Sequence, residues 1–478
     1  MSPRVKTFLK ILIGVLSLAL LALFIQKGYG KSWTGFQSYI AKGEVVPAKK
    51  LWDWMALLLV PVGLALAAFY FNKRQKESEL RKTTSQQQEA SLQAFITQMG
   101  ELLLTNNLRQ SKPEQEVRTI ARARTLTVLK ELDGKRKGLM IRFLLESRLI
   151  QKDEETIEKR IATPVISLAG ADLGGADLTQ MDLSEVVFSG ADLTGANLEF
   201  SNLKKSEKDL YTRFDPKWDL VWQLVNWYPP KDGLRGRDLR NSDLTGVNLM
   251  NFELNGTDLR GAILDQANLF GAKIDKDTKF DAKWSQIWKI VNLSSERTNM
   301  QRLDLSRADL SGLTFNDLDL SGCNLDGANL QSGSFRGAIL RGISGFDPNF
   351  DEADLSNADL TNARLPLASF HAAKLPGAKL GKADLEWAKL NDADLQHTDL
   401  RETDFRLADL SGADLTGANL TGARFKDTEF DDETQWPTGF DPKMPGLKRL
   451  VSQVSSSSDK SKKPPQTSIE FPDPDRLE

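Results

Sequence analysis

The chain has 478 residues but only one cysteine, Cys323, and two histidines, His371 and His397. A single cysteine excludes an intramolecular disulfide and agrees with a reducing compartment. The two histidines stand 26 residues apart with no second ligand type beside them, so they suggest neither a metal site nor a general base. No GxxxxGK[ST] run occurs, and glycine-rich stretches such as Gly170-Ala-Asp-Leu-Gly-Gly175 are repeat composition. The sequence therefore offers no catalytic, cofactor-binding or metal-ligating residues, and no cofactor is expected.

What the chain does have is a short period. From Phe350 to Phe430 every fifth residue is Leu or Phe, seventeen in succession. Two residues before each centre stands a small residue: of the sixteen from Ala353 to Thr428, thirteen are Ala and three are Thr. Ala408-Asp-Leu-Ser-Gly, Ala413-Asp-Leu-Thr-Gly and Ala418-Asn-Leu-Thr-Gly are one phrase repeated. Small residue, Asp or Asn, Leu, then Ser, Thr or Arg alternate apolar and polar, as a strand does. The fifth slot is usually Gly, Asn or another turn-tolerant residue, and reads as a corner. Each phrase is then a short extended side and a bend. Leu fills the centre of a coil, and the small slot lets backbones approach. Cys323, two before Leu325, occupies that small slot as a core residue. A strict short period builds a solenoid, whose outer faces usually carry the function.

This pattern resembles the pentapeptide-repeat family, in which four phrases close one square coil. The resemblance implies a mainly β fold, a right-handed quadrilateral β-helix. It covers four blocks, Leu168–Leu203, Leu234–Ile274, Leu305–Leu340 and Phe350–Phe430, with Gly345 the gap between the last two. Their forty-two centres give about ten coils and a rod on the order of 50 Å long. The repeat domain spans 161–440, with inserts at about 206–232 and 276–300.

The inserts echo each other. Thr212-Arg-Phe-Asp-Pro-Lys-Trp218-Asp-Leu-Val-Trp222 matches Thr278-Lys-Phe-Asp-Ala-Lys-Trp284-Ser-Gln-Ile-Trp288. Trp at i and i+4 makes one apolar face on a short helix. Either Trp218, Trp222, Trp284 and Trp288 pack on the solenoid wall, or they form a protruding ledge, the candidate interaction site. The run Trp436-Pro-Thr-Gly-Phe440-Asp-Pro442 is expected to plug the last coil, since terminal coils need a cap.

Residues 1–80 read as a transmembrane hairpin. Phe8–Ile25 and Leu51–Phe71 are apolar and long enough to span a bilayer as helices. A signal peptide is the alternative for the first stretch, but no clear small-x-small cleavage site follows it. Trp33, Trp52, Trp54 and Tyr70 suit a membrane interface. Eight basic residues flank the hairpin against five in its loop, which favours both termini in the cytoplasm. Residues 81–160 read as a basic helical membrane-proximal region, with a turn at Asp133-Gly134. It resembles a region found ahead of pentapeptide repeats in cyanobacterial membrane proteins, implying a plasma or thylakoid membrane. Residues 441–478 read as a disordered tail.

Charge separates these parts. Residues 1–160 hold 27 Lys and Arg against 15 Asp and Glu, a net of +12, while 161–440 hold 29 against 44, a net of −15. A basic base is drawn to anionic lipid head groups. An acidic rod is repelled from them and from nucleic acid, which is not an expected partner. The reading with most support is a non-enzymatic membrane-anchored scaffold for protein partners. One alternative is a duplex-mimicking topoisomerase binder, as some acidic members of the family resemble B-form DNA in shape. Another is an enzyme or transport accessory, for which two spans without buried charge are a poor basis.

Overall fold

Every fifth residue of the repeat turns the chain through a left-handed backbone, and this corner sets the architecture. Gly377, Gly412 and Gly417 adopt φ of 69°, 69° and 74°, but Asn357, Lys382 and His397 stand in the same conformation at 59°, 60° and 55°. Left-handed backbone costs a residue with a Cβ about 1–2 kcal/mol, so Gly and Asn dominate the slot. Between corners only the Asp or Asn position bridges to the next coil. The bridges are parallel and 20 residues apart, as in Asp354↔Lys374, Lys374↔Asp394 and Asp394↔Asp414. Four phrases therefore close each coil. The sides are too short for named strands, and the rod is a β-helix built from single-residue bridges.

The computed structural model describes Lys27 and residues 39–41, 43–46, 51–152, 163–228, 230, 233–294 and 300–450, with side chains of the long first helix from Gly63 onward. The chain forms two units, 1–91 and 92–478. In the first, β1 (Tyr39–Ala41) pairs antiparallel with β2 (Glu44–Val46). Helix α1 (Leu51–Leu104) follows, and its residues from Leu92 onward belong to the second unit. There α2 (Glu116–Glu131) and α3 (Gly134–Glu146) lead into the coils. The inserts carry α4 (Pro216–Val225) and α5 (Ala282–Asn292), and β3 (Thr428–Phe430) pairs in parallel with β4 (Leu447–Arg449) at the far end.

The coil interior is as the period demands. Leu385, Leu395, Leu410 and Leu415 are buried completely, and Ala383 and Ala413 are buried beside them. Phenylalanine centres stack coil on coil: Phe350 and Phe370 lie 5.0 Å apart at 3°, and Phe405 and Phe425 5.6 Å apart at 9°. The last coil is closed by Trp436, which stacks on Phe440 at 4.6 Å and meets Phe430 edge-on. Pairing of Leu447–Arg449 with Thr428–Phe430 extends this cap past residue 441, so the first ten residues of the expected tail belong to it. The remainder, 451–478, lies outside the described residues.

The basic helical region closes the opposite end. Asp133 is the N-cap of α3, its carboxylate accepting from the Arg136 amide, so Gly134 opens a helix and is no turn residue. A Cβ on Gly134 would lie 1.9 Å from the Gly175 carbonyl oxygen, and one on Gly138 2.0 Å from that of Asp177. Only glycine permits this approach. The exposed carbonyls of the first coil then find donors. Arg122 donates to Ser167 and Ala169, Lys137 to Gly174, and Gln151 to Asp182 and Ser184. Lys137 is itself buried, 2.8 Å from the Asp172 carboxylate.

Among the described residues no helix is long and apolar enough to cross a membrane. The stretch Phe8–Ile25 lies outside them. The backbone of α1 runs through the whole of Leu51–Phe71, but the described side chains cover only its last nine residues.

The core carries a direct test. Ala383→Arg or Ala413→Arg places a charge inside a coil without a partner and is expected to cost about 3 kcal/mol or more. Thr416→Lys, on an exposed corner, should shift the melting temperature little. Equal melting of all three variants would overturn the inward assignment of the alanine slot.

Candidate functional site

The two inserts and the C-terminal cap begin with one device. Asp209-Leu-Tyr-Thr212, Asp275-Lys-Asp-Thr278 and Asp431-Asp-Glu-Thr434 each add one residue to a coil. The bridge spacing becomes 21 there, at Asp192↔Arg213, Asp258↔Lys279 and Asp414↔Gln435. Each Asp accepts from a glycine amide of the coil before it: Gly190 at 2.8 Å, Gly256 at 2.9 Å and Gly412 at 2.9 Å. Each Thr hydroxyl donates to a carbonyl of that coil, Phe188, Leu254 or Leu410, always at 3.0 Å. The rod is therefore three solenoid segments ended by one motif, of which the first two restart.

The helix after each device fills the break. Trp222 Nε1 donates to the Ser206 carbonyl at 3.1 Å, and Asn226 Nδ2 to that of Leu203 at 3.0 Å. In the second insert Trp288 Nε1 donates to the Ala272 carbonyl at 2.8 Å, and Asn292 Nδ2 to that of Leu269 at 3.0 Å. Facing the following coil, Lys217 donates to the Arg240 carbonyl and Lys283 to the Ser306 hydroxyl. Each helix thus spans a gap between coils. Trp218, Trp222 and Trp284 are buried and Trp288 partly so. All four sit against the wall and form no ledge.

The aromatic residues left outside are others. Trp227 and Tyr228 follow α4 at 72% and 59% exposure, with Tyr228 stacked on Trp222 at 5.3 Å. They edge a cavity of about 600 Å³ that Lys204 and Lys208 also line. The second insert has Leu293 after Asn292 in place of this pair, a difference visible in sequence once the two helices are aligned.

The Asp ladders are part of the turn machinery. Each Asp or Asn before a centre accepts from the amide after it, as in Asp192 to Thr194 at 3.0 Å and Asp409 to Ser411 at 3.0 Å. The Ser or Thr hydroxyl often donates to the same oxygen, as Ser411 does at 2.6 Å. The grammar Asp-Leu-Ser/Thr is therefore a side-chain turn repeated at each corner. At three corners an Arg in the hydroxyl slot binds the carboxylate with two nitrogens: Arg240 on Asp238, Arg260 on Asp258 and Arg401 on Asp399. Like charges one coil apart repel by about 1 kcal/mol in water, and these bonds are of the size needed to offset that. The Arg240 hydrogen bonds hold Asp238 down to about 2 from the ordinary 3.8, and hydrogen bonds from Arg260 and Arg401 hold Asp258 and Asp399 below the ordinary carboxylate value.

His371 and His397 are both exposed. His371 Nδ1 lies beside Asn391 and 3.5 Å from Asp392. Cys323 is buried, its thiol donating to the Met300 carbonyl, and burial pushes its pKa up to about 11. Among the described residues no three His, Cys, Asp or Glu side chains are grouped to hold a metal ion.

Coils of four five-residue sides, sealed at both ends, define a quadrilateral β-helix protein. A family model for pentapeptide repeats matches residues 167–206, 235–274, 304–342, 349–386 and 388–427, and the chain belongs to that family. HetL, a pentapeptide repeat protein involved in heterocyst differentiation regulation from Nostoc sp. strain PCC 7120, is 25% identical over 54% of this chain and 88% of its own, with a TM-score of 0.20. Rfr23 from Cyanothece 51142 is 25% identical over 32% and 99%, with a TM-score of 0.18. The protein alr5209 from Nostoc PCC 7120 is 34% identical over 21% and 84%, with a TM-score of 0.16. No curated protein matches the chain.

Two outcomes follow from this geometry. Trp222→Ala and Trp288→Ala should each destabilise the rod by about 3 kcal/mol, measured by thermal or denaturant unfolding. Unchanged melting would contradict the packed placement. For the carboxylates, a folded pKa below the unfolded one gives stability that is present above the ordinary pKa and lost as pH falls through the folded value. The melting temperature should be flat above about pH 5 and fall between about pH 4 and 2, and Asp238→Asn should blunt part of that fall.

Proposed function

We propose that this pentapeptide-repeat protein is a non-enzymatic, membrane-anchored interaction rod that holds protein partners on its outer faces. The observation that carries the anchor is the described start of α1. Leu64, Leu66, Phe69 and Phe71 stand 64–69% exposed there, directly before Lys73, Arg74, Lys76, Arg81 and Lys82. Apolar side chains in solvent all around a helix suit a lipid environment, and the basic run after them suits anionic head groups at its edge. With two spans both termini and the rod lie on the cytoplasmic side, of a plasma or thylakoid membrane.

The duplex-mimicking alternative has less support. A mimic needs uncompensated carboxylates, whereas Arg240, Arg260, Arg341, Arg401 and Arg406 hold Asp238, Asp258, Asp359, Asp399 and Asp404. The acidic excess counted along the chain is partly neutralised where it meets solvent.

The full-length protein should stay with membranes through carbonate and high-salt washes, and removal of residues 1–76 should release it. Thiol labels at Gly35→Cys and Ser456→Cys should report opposite sides of the membrane. Release of the intact chain by salt alone would refute the anchor.

A further inference from the structure

In the last seventeen phrases the corner residues fall into four columns, each repeating every 20 residues. Three columns carry what left-handed backbone favours or what solvent accepts. They read Glu352, Ala372, Asp392 and Gly412; Asn357, Gly377, His397 and Gly417; and Asn362, Lys382, Glu402 and Gly422. The fourth reads Asp347, Leu367, Trp387, Leu407 and Asp427, all with φ between 58° and 63°. Large apolar side chains thus occupy consecutive rungs of one corner in a conformation that disfavours them. The rungs are locked together by backbone bonds from Leu367 to Glu386, Trp387 to Arg406 and Leu407 to Lys426, each 2.9–3.0 Å. Trp387 is 53% exposed, and Phe346 at the foot of the corner 57%. Nothing in coil closure calls for these residues, since Gly or Asn would turn the chain more easily.

The column is a palindrome. About Trp387, Leu367 mirrors Leu407 and Asp347 mirrors Asp427. A two-fold axis through Trp387, at right angles to the rod, would set Leu367 against Leu407 of a second copy and stack the two tryptophans on the axis. Identical coil spacing in both molecules keeps every rung in register, and an isologous contact needs such a self-complementary patch. Charge agrees. Asp427 is neutralised within its own chain by Lys448 at 3.0 Å. Among the described residues neither Asp347 nor Lys426 has an ion-pair partner. The two-fold axis brings Lys426 of each copy to the end of the ladder that holds Asp347 of the other, twice over.

We infer that the Leu367–Trp387–Leu407 corner is a self-association surface through which two copies pair antiparallel. The apolar ladder is narrower than a standard permanent interface, so the pairing is reversible and concentration-dependent. Trp387 is its anchor, as a large aromatic at the centre of a contact usually is.

The test uses the full chain in detergent. Light scattering or sedimentation should show the protein mass doubling as concentration rises. Trp387→Gly should abolish the doubling while leaving the melting temperature equal or higher, because glycine relieves the corner. Under mild oxidation Trp387→Cys should form a disulfide-linked dimer with itself. Leu367→Cys and Leu407→Cys should each form no disulfide-linked dimer alone but cross-link to each other when mixed, while the buried Cys323 stays unreacted. A constant monomer mass, a dimer that survives Trp387→Gly, or Leu367→Cys linking to itself would each overturn the inference. The last outcome would mean parallel pairing.

Discussion

A coil of this rod is hydrogen-bonded only to the coils on either side of it, so each place where the stack starts, stops or is interrupted exposes backbone groups. Sealing those edges is the constraint from which the remaining features follow. At the N-terminal edge the donors come from arginine, lysine and glutamine side chains of a helical layer, with α3 brought against the first coil by two glycines. At the three later edges an Asp carboxylate accepts from a glycine amide and a Thr hydroxyl, three residues on, donates to a carbonyl. An unsatisfied buried backbone group costs about 1–3 kcal/mol, and a whole open side would leave several. This explains why one local motif recurs wherever the register breaks.

The same constraint gives the inserts their meaning. Once the added residue has ended a coil, something must cover the exposed faces before the next can begin. A short helix with tryptophans on one side does so, its indole nitrogens bonded to the carbonyls of the coil it covers. The helices are joints within the rod. What they leave exposed differs between them, and only the first displays Trp227 and Tyr228 beside lysines.

Charge follows a similar economy. Aspartates that count as an acidic excess along the chain are each tied to the next turn's amide, and often to a hydroxyl or a guanidinium. The outer surface is therefore patterned less by net charge than by the residues at the corners. There the outward column of Leu367, Trp387 and Leu407 departs from the other three.

Much of this was written in the sequence. A five-residue period with alanine two before each leucine specifies short sides closing into coils with both slots inward; that four sides close each coil came from the family resemblance, and the 20-residue bridges bear it out. The capping role of Trp436 and Phe440 was legible for the same reason, as aromatics standing where the register stops. Other features depended on contacts 20 or more residues distant. Arg122, Gly134, Lys137 and Gly138 read only as parts of a basic helical region with a turn at Asp133-Gly134 until the first coil stood beside them. The tryptophans of the inserts could face either way until the carbonyls of Ser206 and Ala272 were in place. Thr278 stood out only as the start of an echoed pattern, and its partnership with Asp275 and the Leu254 carbonyl needed the preceding coil. A period fixes what points inward, because burial repeats with it. How an interruption is sealed depends on which distant backbone group is left without a partner, and the tertiary structure alone decides that.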